Sequence, residues 1–422
     1  MTHVLFITQT ANAWGGVESW LEGLAGALDF DVTIGLVRGR FHDPEHYRAA
    51  RRSMPPSIEI AAPTGTPEGR VRALVKAIET VRADIVVPVN IVDVLEAARR
   101  IKQHRDLRLL YPMHSITSDY LLDLRAFAPI IDLVVTTNRL ALRATETIAG
   151  IDRVVRARYG IAPPLAPPEF ATDGPLSLLY AGRLTQEQKR IRDLVAVVRS
   201  LERRGVEHRL EIAGDGDELA YLRRELPNAT FHGLVSSETL DREIYPRADA
   251  MLLLSDWETG PIAAWEAMRY GLALVTTRYR GLTAEGILVD GDNAAISDVG
   301  DTEALAASVE RLSRDRALLE RMRRSAVATA EREFDPRQSV ADWHSAFERV
   351  IASTPARGAV AYRPAAAGRL DRIAGRAAAE TVRGFFARSM PPTSAGSEWP
   401  HTLHWDDPER SRIDAAVAEL DR

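Results

Sequence analysis

The feature that most restricts this chain is an alternation. Short, almost wholly apolar runs rich in β-branched residues are separated by amphipathic stretches, and the pattern is broken once by prolines before it starts again. In the first half, strands are expected at Val4–Thr8, Val32–Val37, Ile85–Val89, Arg108–Met113 and Leu133–Thr137. Runs with so few polar residues suit strands covered on both faces, as in a parallel sheet flanked by helices. A helix over about Val17–Leu28 follows the first strand, its Trp20, Leu21, Leu24 and Leu28 sharing one face. After Tyr159 the text becomes GIAPPLAPPEFATDGP, which neither a helix interior nor a central strand accommodates.

Beyond Pro175 the alternation resumes, with strands expected at Leu176–Tyr180, Arg209–Ala213, Ala229–Gly233, Ala250–Leu254, Ala273–Thr276 and Ile287–Val289. Helices are expected over Thr302–Arg314, Ala317–Phe334 and Ser339–Ser353. The expected organisation is an α/β domain over 1–160, a linker over 161–174, a second α/β domain with its helices over 175–350, and an extension over 351–422. Two such halves joined by a proline hinge predict a cleft, with ligand at the C-terminal ends of the strands.

Composition excludes several classes. A chain of 422 residues that is 45% hydrophobic and 27% charged is neither disordered nor fibrous, and at ~150 residues per domain it holds two cores. A formal charge of -5 gives no overall attraction to nucleic acid. Without cysteine there are no disulfides, thiolate metal sites or cysteine nucleophiles, and a reducing compartment is the simplest home. No run approaches the ~18 apolar residues of a membrane span, and Met1–Thr8 has no basic leader. The expectation is a cytoplasmic protein.

After about Thr354 the sheet pattern stops. Residues 355–368, rich in Ala, Pro and Gly, read as a linker. Gly368–Met390 reads as a helix with Arg369, Arg372, Arg376, Arg383 and Arg388 against Asp371 and Glu380. Its apolar residues are Leu370, Ile373, Val382, Phe385 and Phe386. Two readings stand: a helix packed on its own protein, or one lying peripherally on the anionic inner face of a membrane. His401 and His404, near Trp399 and Trp405, are two histidines without further ligands and do not define a metal site.

The stretch Ser255 to Gly271, SDWETGPIAAWEAMRYG, leaves a strand and enters a helix, with Thr259 placed to cap it and Pro261 in its first turn. Amides near Gly260 and Ile262, backed by the helix dipole, form a phosphate site; Pro261 has no N–H to give. Glu258 and Glu266 flank it. Carboxylates do not bind phosphate, so they suit the hydroxyls of a sugar or ribose, or else are solvated residues of a capped helix. AGRLTQEQKR, Ala181 to Arg190, puts Arg183 and Lys189 at the same sheet edge. Fixed cations are what a departing diphosphate needs. Lys189 is one of three lysines, with Lys76 and Lys102, among 54 basic residues, which points to a compact ammonium at this position.

Gly182-Arg183-Leu184 with Lys189, and Glu258 and Glu266 in ETGPIAAWEAM, resemble the retaining glycosyltransferases of GT-B fold, family 4. The Gly15-Gly16-Val17-Glu18 turn and HGLVS followed by Tyr245, Ala248 and Asp249 fit the same family, over roughly residues 3 to 350. The resemblance implies two Rossmann-like domains facing each other across a cleft, the first binding an acceptor and the second a nucleoside-diphosphate sugar, with transfer needing no metal or cofactor. By resemblance, Arg183 and Lys189 hold the diphosphate, Glu266 the ribose and Glu258 the transferred sugar. The amides of Gly15, Gly16, Gly260 and Ile262 complete the cradle, and His114 contacts the sugar near the reacting carbon. It further implies front-face attack, in which the leaving phosphate accepts the acceptor's proton. UDP or GDP is the expected nucleotide.

The acceptor is expected to be a glycan, a lipid-linked sugar or a small molecule. The basic segment Arg38 to Arg52 could meet an anionic acceptor or be an ordinary charged loop. Departures from the family are Tyr159-Gly160-Ile161-Ala162, where many members have Asn-Gly-Val/Ile-Asp, one extra residue between Arg183 and Lys189, and Ala294 in place of glycine. Other readings are a different GT-B enzyme, such as a nucleotide-sugar epimerase or a phosphorylase, and a nucleotide-sugar-binding scaffold without turnover. A dinucleotide oxidoreductase is disfavoured, since Gly214-Asp215-Gly216 is followed by Leu219 where a third glycine belongs.

Overall fold

The computed structural model describes residues 2–11, 16–51, 54–170, 174–360, 368–386, 389, 398–399 and 405–422. Gly15, His401 and His404 lie outside the described residues. The chain divides into two compact units, Met1–Thr137 with Ala141–Ala157 and Val340–Val417, and Asn138–Leu140 with Arg158–Ser339 and Ala418–Arg422. The chain therefore returns to the first unit within its last long helix, Pro336–Ala352, instead of ending the second unit there.

The first unit holds a parallel sheet of β1 (His3–Thr8), β2 (Asp31–Arg38), β3 (Ser57–Ala61), β4 (Ile85–Val89), β5 (Arg108–Met113), β6 (Leu133–Thr136) and β7 (Val154–Arg156), in the order β3-β2-β1-β4-β5-β6-β7. The apolar runs behave as expected, with Val4, Leu5, Phe6, Ile7, Val86 and Val87 fully buried. β3 and β7 went unforeseen because they are edge strands: Ser57–Ala61 is half polar and Val154–Arg156 only three residues long. Helix Pro67–Val81 shows how local chemistry sets an end. Thr66 accepts the Gly69 N–H at 3.0 Å, and Arg82 closes the helix with φ 55°.

The second unit repeats the design with β8 (Leu176–Ala181), β9 (His208–Ala213), β10 (Thr230–Gly233), β11 (Ala250–Leu253), β12 (Ala273–Thr277) and β13 (Ala294–Ser297), all parallel, in the order β10-β9-β8-β11-β12-β13. In both sheets the chain works outward on one side of its first strand and then crosses to the other. The loops after β1 and β4, and after β8 and β11, consequently diverge at a switch point, where such folds bind ligands.

Two expectations are corrected. Ile287–Val289 is a loop, and the edge strand is Ala294–Ser297. Asn293 is buried there and takes the polar groups a ladder would have used: its Oδ1 accepts the Val289 N–H at 2.8 Å and its Nδ2 donates to the Ile287 carbonyl at 2.9 Å. The tail helix is two helices, Arg369–Ala374 and Arg376–Phe385, because Gly375 at φ 77° breaks the run. A further helix, Asp407–Leu420, follows. Among the described residues, no helix is long and apolar enough to cross a membrane.

Candidate functional site

In the second unit two loops meet at the switch point between β8 and β11. The loop after β8 is held by backbone packed on backbone. Gly182 N–H donates to the Ala213 carbonyl at 3.0 Å and Leu184 N–H to that of Asp215 at 2.9 Å. A Cβ on Gly214 would stand 1.9 Å from the Gly182 oxygen, and one on Gly216 2.5 Å from that of Leu184. Gly214-Asp215-Gly216 thus owes its glycines to this close approach.

The turn then folds back as a network. Arg183 donates to Gln188 Oε1 at 2.7 Å, Gln188 Nε2 donates to the Trp257 carbonyl at 3.1 Å, and Asp256 N–H donates to the Gln188 carbonyl at 2.9 Å. The next residue, Lys189, places Nζ 2.5 Å from Glu258 Oε1, the oxygen that also accepts the Ser255 hydroxyl at 2.5 Å. Glu258 is only 5% exposed. The structure therefore brings Arg183, Lys189 and Glu258 together, but Lys189 meets a carboxylate, and Gln188 is the hub that sequence reasoning missed. Lys102 is likewise buried against Asp132 at 2.5 Å, so two of the chain's three lysines sit in interior ion pairs.

The backbone of Glu258 is fixed from the other side. Its N–H donates to the Arg280 carbonyl at 3.1 Å, and a Cβ on Gly281, φ 108°, would be 2.5 Å from the Glu258 oxygen. Asp421 accepts the N–H groups of Gly281 at 2.6 Å and Ala284 at 2.8 Å, which pins this turn. Asn138 donates to the Thr259 carbonyl at 2.6 Å. Gly260, φ 141°, leaves room for Tyr159, whose ring a Cβ would approach to 2.4 Å. Asn138, Tyr159 and Asp421 carried no local signal, because each arrives from a distant part of the chain.

Thr259 does not cap the following helix, which corrects the expectation. Helix Ile262–Arg269 starts directly after Pro261, whose side chain offers no acceptor. Pro261 instead accepts Ala264 and Trp265 N–H groups through its carbonyl, at 2.8 and 3.1 Å. Ile262 still lies in a first turn, where N–H groups lack carbonyl partners within the helix and the dipole favours an anion. One turn on, Glu266 accepts the Tyr245 hydroxyl at 2.8 Å, and Tyr245 stacks on Tyr270 with centroids 5.2 Å apart. Burial pushes the Glu266 carboxyl up to about 7; the bond from Tyr245 opposes this and Asp241 reinforces it.

Two expected residues belong to the first unit. Gly16 begins helix Gly16–Ala27 after β1, and His114 follows β5. The His114 ring meets Trp20 of that helix edge-on at 4.6 Å, and Trp20 meets Trp343 at 5.0 Å. Burial lowers the His114 pKa to about 4, so its imidazole is neutral at physiological pH. In the basic segment Arg38 pairs with Glu59 and Glu45, Arg48 with Glu59, and Arg51 with Glu22. Much of its charge is thus balanced within the unit. Asp249, part of the family-like text, accepts the Ser177 N–H and pairs with Arg323 at 3.0 Å, a structural duty. No cluster of metal-ligating residues occurs among the described residues.

Residues 175–315, which contain every second-unit residue of this site except Asn138, Tyr159 and Asp421, match the family model Glycosyl transferases group 1. Solved structures of the same fold include sucrose-phosphate synthase from Thermosynechococcus elongatus, at TM-score 0.70 and 17% identity over 83% of this chain and all of that one. Anabaena HepE in complex with UDP and glucose matches at TM-score 0.69 and 16% identity, over 82% of this chain and all of that one. The structural likeness gives the chain the GT-B fold, and the family match places residues 175–315 among the group 1 glycosyltransferases. Glycogen synthase of Mycobacterium tuberculosis is 33% identical over 168 residues, 38% of this chain and 40% of that protein. The chain thus spans about two fifths of the length of the curated relatives it matches.

Proposed function

We propose that this protein is a retaining glycosyltransferase that moves a sugar from a nucleoside-diphosphate sugar to a hydroxyl of a glycan, glycolipid or small-molecule acceptor. The observation that carries this reading is the convergence of Arg183 and Lys189, from the loop after β8, with Glu258 and the first turn of helix Ile262–Arg269, from the loop after β11. Cations and helix amides meet a diphosphate; carboxylates beside them meet hydroxyls. Glu266, one turn along, takes the ribose and Glu258 the transferred sugar. UDP is favoured over GDP by the UDP complex of Anabaena HepE.

In this reaction the bond from the anomeric carbon to the leaving phosphate breaks, the acceptor oxygen bonds to that carbon on the same face, and the acceptor's proton passes to the leaving diphosphate. Arg183 and Lys189 supply fixed positive charge where negative charge develops, without needing a metal ion. His114, neutral, orients the sugar. The chemistry is orientation and electrostatics, which fits a site whose parts are already hydrogen-bonded into place.

The test is thermal-shift screening against UDP, GDP, ADP and their sugars in the presence of EDTA. A ligand at 100 times its Kd stabilises by about 2.7 kcal/mol. A selective shift with one nucleotide, abolished by Arg183→Gln, is expected. No shift with any of them, or one that Arg183→Gln leaves intact, overturns the assignment.

A further inference from the structure

The segment 368–386 of the first unit is turned inside out. An ordinary surface helix buries its apolar residues and shows its charges; here both acids and one arginine, Arg383, face the protein. Asp371 is buried and pairs with Arg383 at 2.5 Å. Glu380, also buried, accepts the hydroxyls of Thr64 and Thr66 at 2.5 Å each, and Arg72 donates to the Ala377 carbonyl at 2.7 Å. Outward stand Ile373, 85% exposed, Phe385, 84%, Phe386, 66%, and Val382, 42%. These are half of the large apolar residues exposed among the described residues, gathered within fourteen positions. Val382, Phe385 and Phe386 share one helix face. Around them Arg369 and Arg372 are exposed and Arg376 half-buried, while both acids of the segment point inward.

We propose that this segment docks on an anionic membrane surface. Phe385 and Phe386 enter the boundary between headgroups and acyl chains, and Arg369, Arg372 and Arg376 lie on lipid phosphates. Exposed apolar patches mark interaction sites, and a segment that shows apolar and cationic side chains while burying both of its acids fits a bilayer interface bearing negative headgroups. A second copy fits poorly, since apposing the two patches would bring their arginines together. The buried Glu380–Thr64–Thr66 contacts anchor the segment to the body of the unit, since Thr66 is itself the cap of helix Pro67–Val81. The inference does not depend on which reaction the second unit performs.

The full chain is floated with vesicles of phosphatidylcholine alone or mixed with phosphatidylglycerol. Wild type is expected to float with the anionic vesicles and to release as salt is raised. Replacing Arg369→Gln with Arg372→Gln should weaken partitioning roughly thirtyfold, and Phe385→Ser with Phe386→Ser at least about tenfold, with melting unchanged because all four side chains face solvent. Absence of flotation, equal flotation on neutral vesicles, or flotation untouched by both variants overturns the proposal. So does a solution dimer that the phenylalanine variant converts to monomer, which would assign the face to a second copy.

Discussion

Replacing Lys189 with methionine separates the structural from the chemical duty of the Lys189–Glu258 pair. At 2.5 Å and an effective dielectric of 20 the raw attraction is about 6–7 kcal/mol, most of it offset by desolvation of two groups that are 14% and 5% exposed. The cost of removing Lys189 comes from Glu258, whose buried charge would keep, among the described residues, the Ser255 hydroxyl and, at 3.5 Å, Gln188. Stranding a buried charge costs about 3–5 kcal/mol, and the incomplete burial of Lys189 puts the value near the lower end. At roughly 2–4 °C per kcal/mol, Lys189→Met should melt about 6–12 °C below wild type by calorimetry. Adding Glu258→Gln removes the stranded charge and should restore most of that loss. If Lys189 also meets the diphosphate, turnover should not recover in the double variant. A Lys189→Met protein melting within a degree of wild type would refute the energetic argument, and a double variant with recovered turnover would refute the chemical one.

His114 and Glu266 have opposite signs with pH. Native His114 binds its proton only near pH 4 while the unfolded chain binds it near 6.5, so its share of stability is intact above about 6.5 and lost as pH falls through that window; His114→Gln should flatten the acid limb of a melting profile. Native Glu266 holds its proton up to about 7 against 4.5 unfolded, so its contribution is present below about 4.5 and lost as pH rises through 7. If its carboxylate accepts the ribose hydroxyls, UDP-sugar affinity by calorimetry should rise through pH 7 in wild type and be level in Glu266→Gln. Gly260→Ala should destabilise by about 2–3 kcal/mol, since it adds a methyl 2.4 Å from Tyr159 at φ 141°, and a melt unchanged from wild type would contradict that packing. Asp421→Ala should cost about 1 kcal/mol by freeing two N–H groups, and should lower turnover several-fold through the turn that backs Glu258, whereas a far-terminal residue of no consequence would move neither.

Much of the fold is legible in the sequence because burial on both faces leaves a local trace. Val4–Thr8, Ile85–Val89 and Leu176–Tyr180 can be strands of little else, and the prolines after Tyr159 separate two copies of one pattern. Arg183, Lys189, Glu258 and Glu266 are legible for a similar reason: each sits just beyond a strand or in the helix after it, where topology delivers side chains to the sheet edge. Edge strands such as Val154–Arg156 leave too weak a pattern, and the loop at Ile287–Val289 was mistaken because Asn293, not its apolar residues, decides its path.

Only the tertiary structure decided the rest. That Lys189 faces a buried glutamate, that Gly260 makes room for Tyr159, and that Asp421 pins the turn behind Glu258 are contacts between residues tens to hundreds of positions apart. The tail shows the same division. Its composition allows a packed helix or a membrane-surface one, and periodicity alone cannot say which face turns inward. The partners offered by Thr64 and Thr66 draw Glu380 into the protein and leave Phe385 and Phe386 outside, because a buried carboxylate must be hydrogen-bonded whereas an exposed phenyl ring costs less.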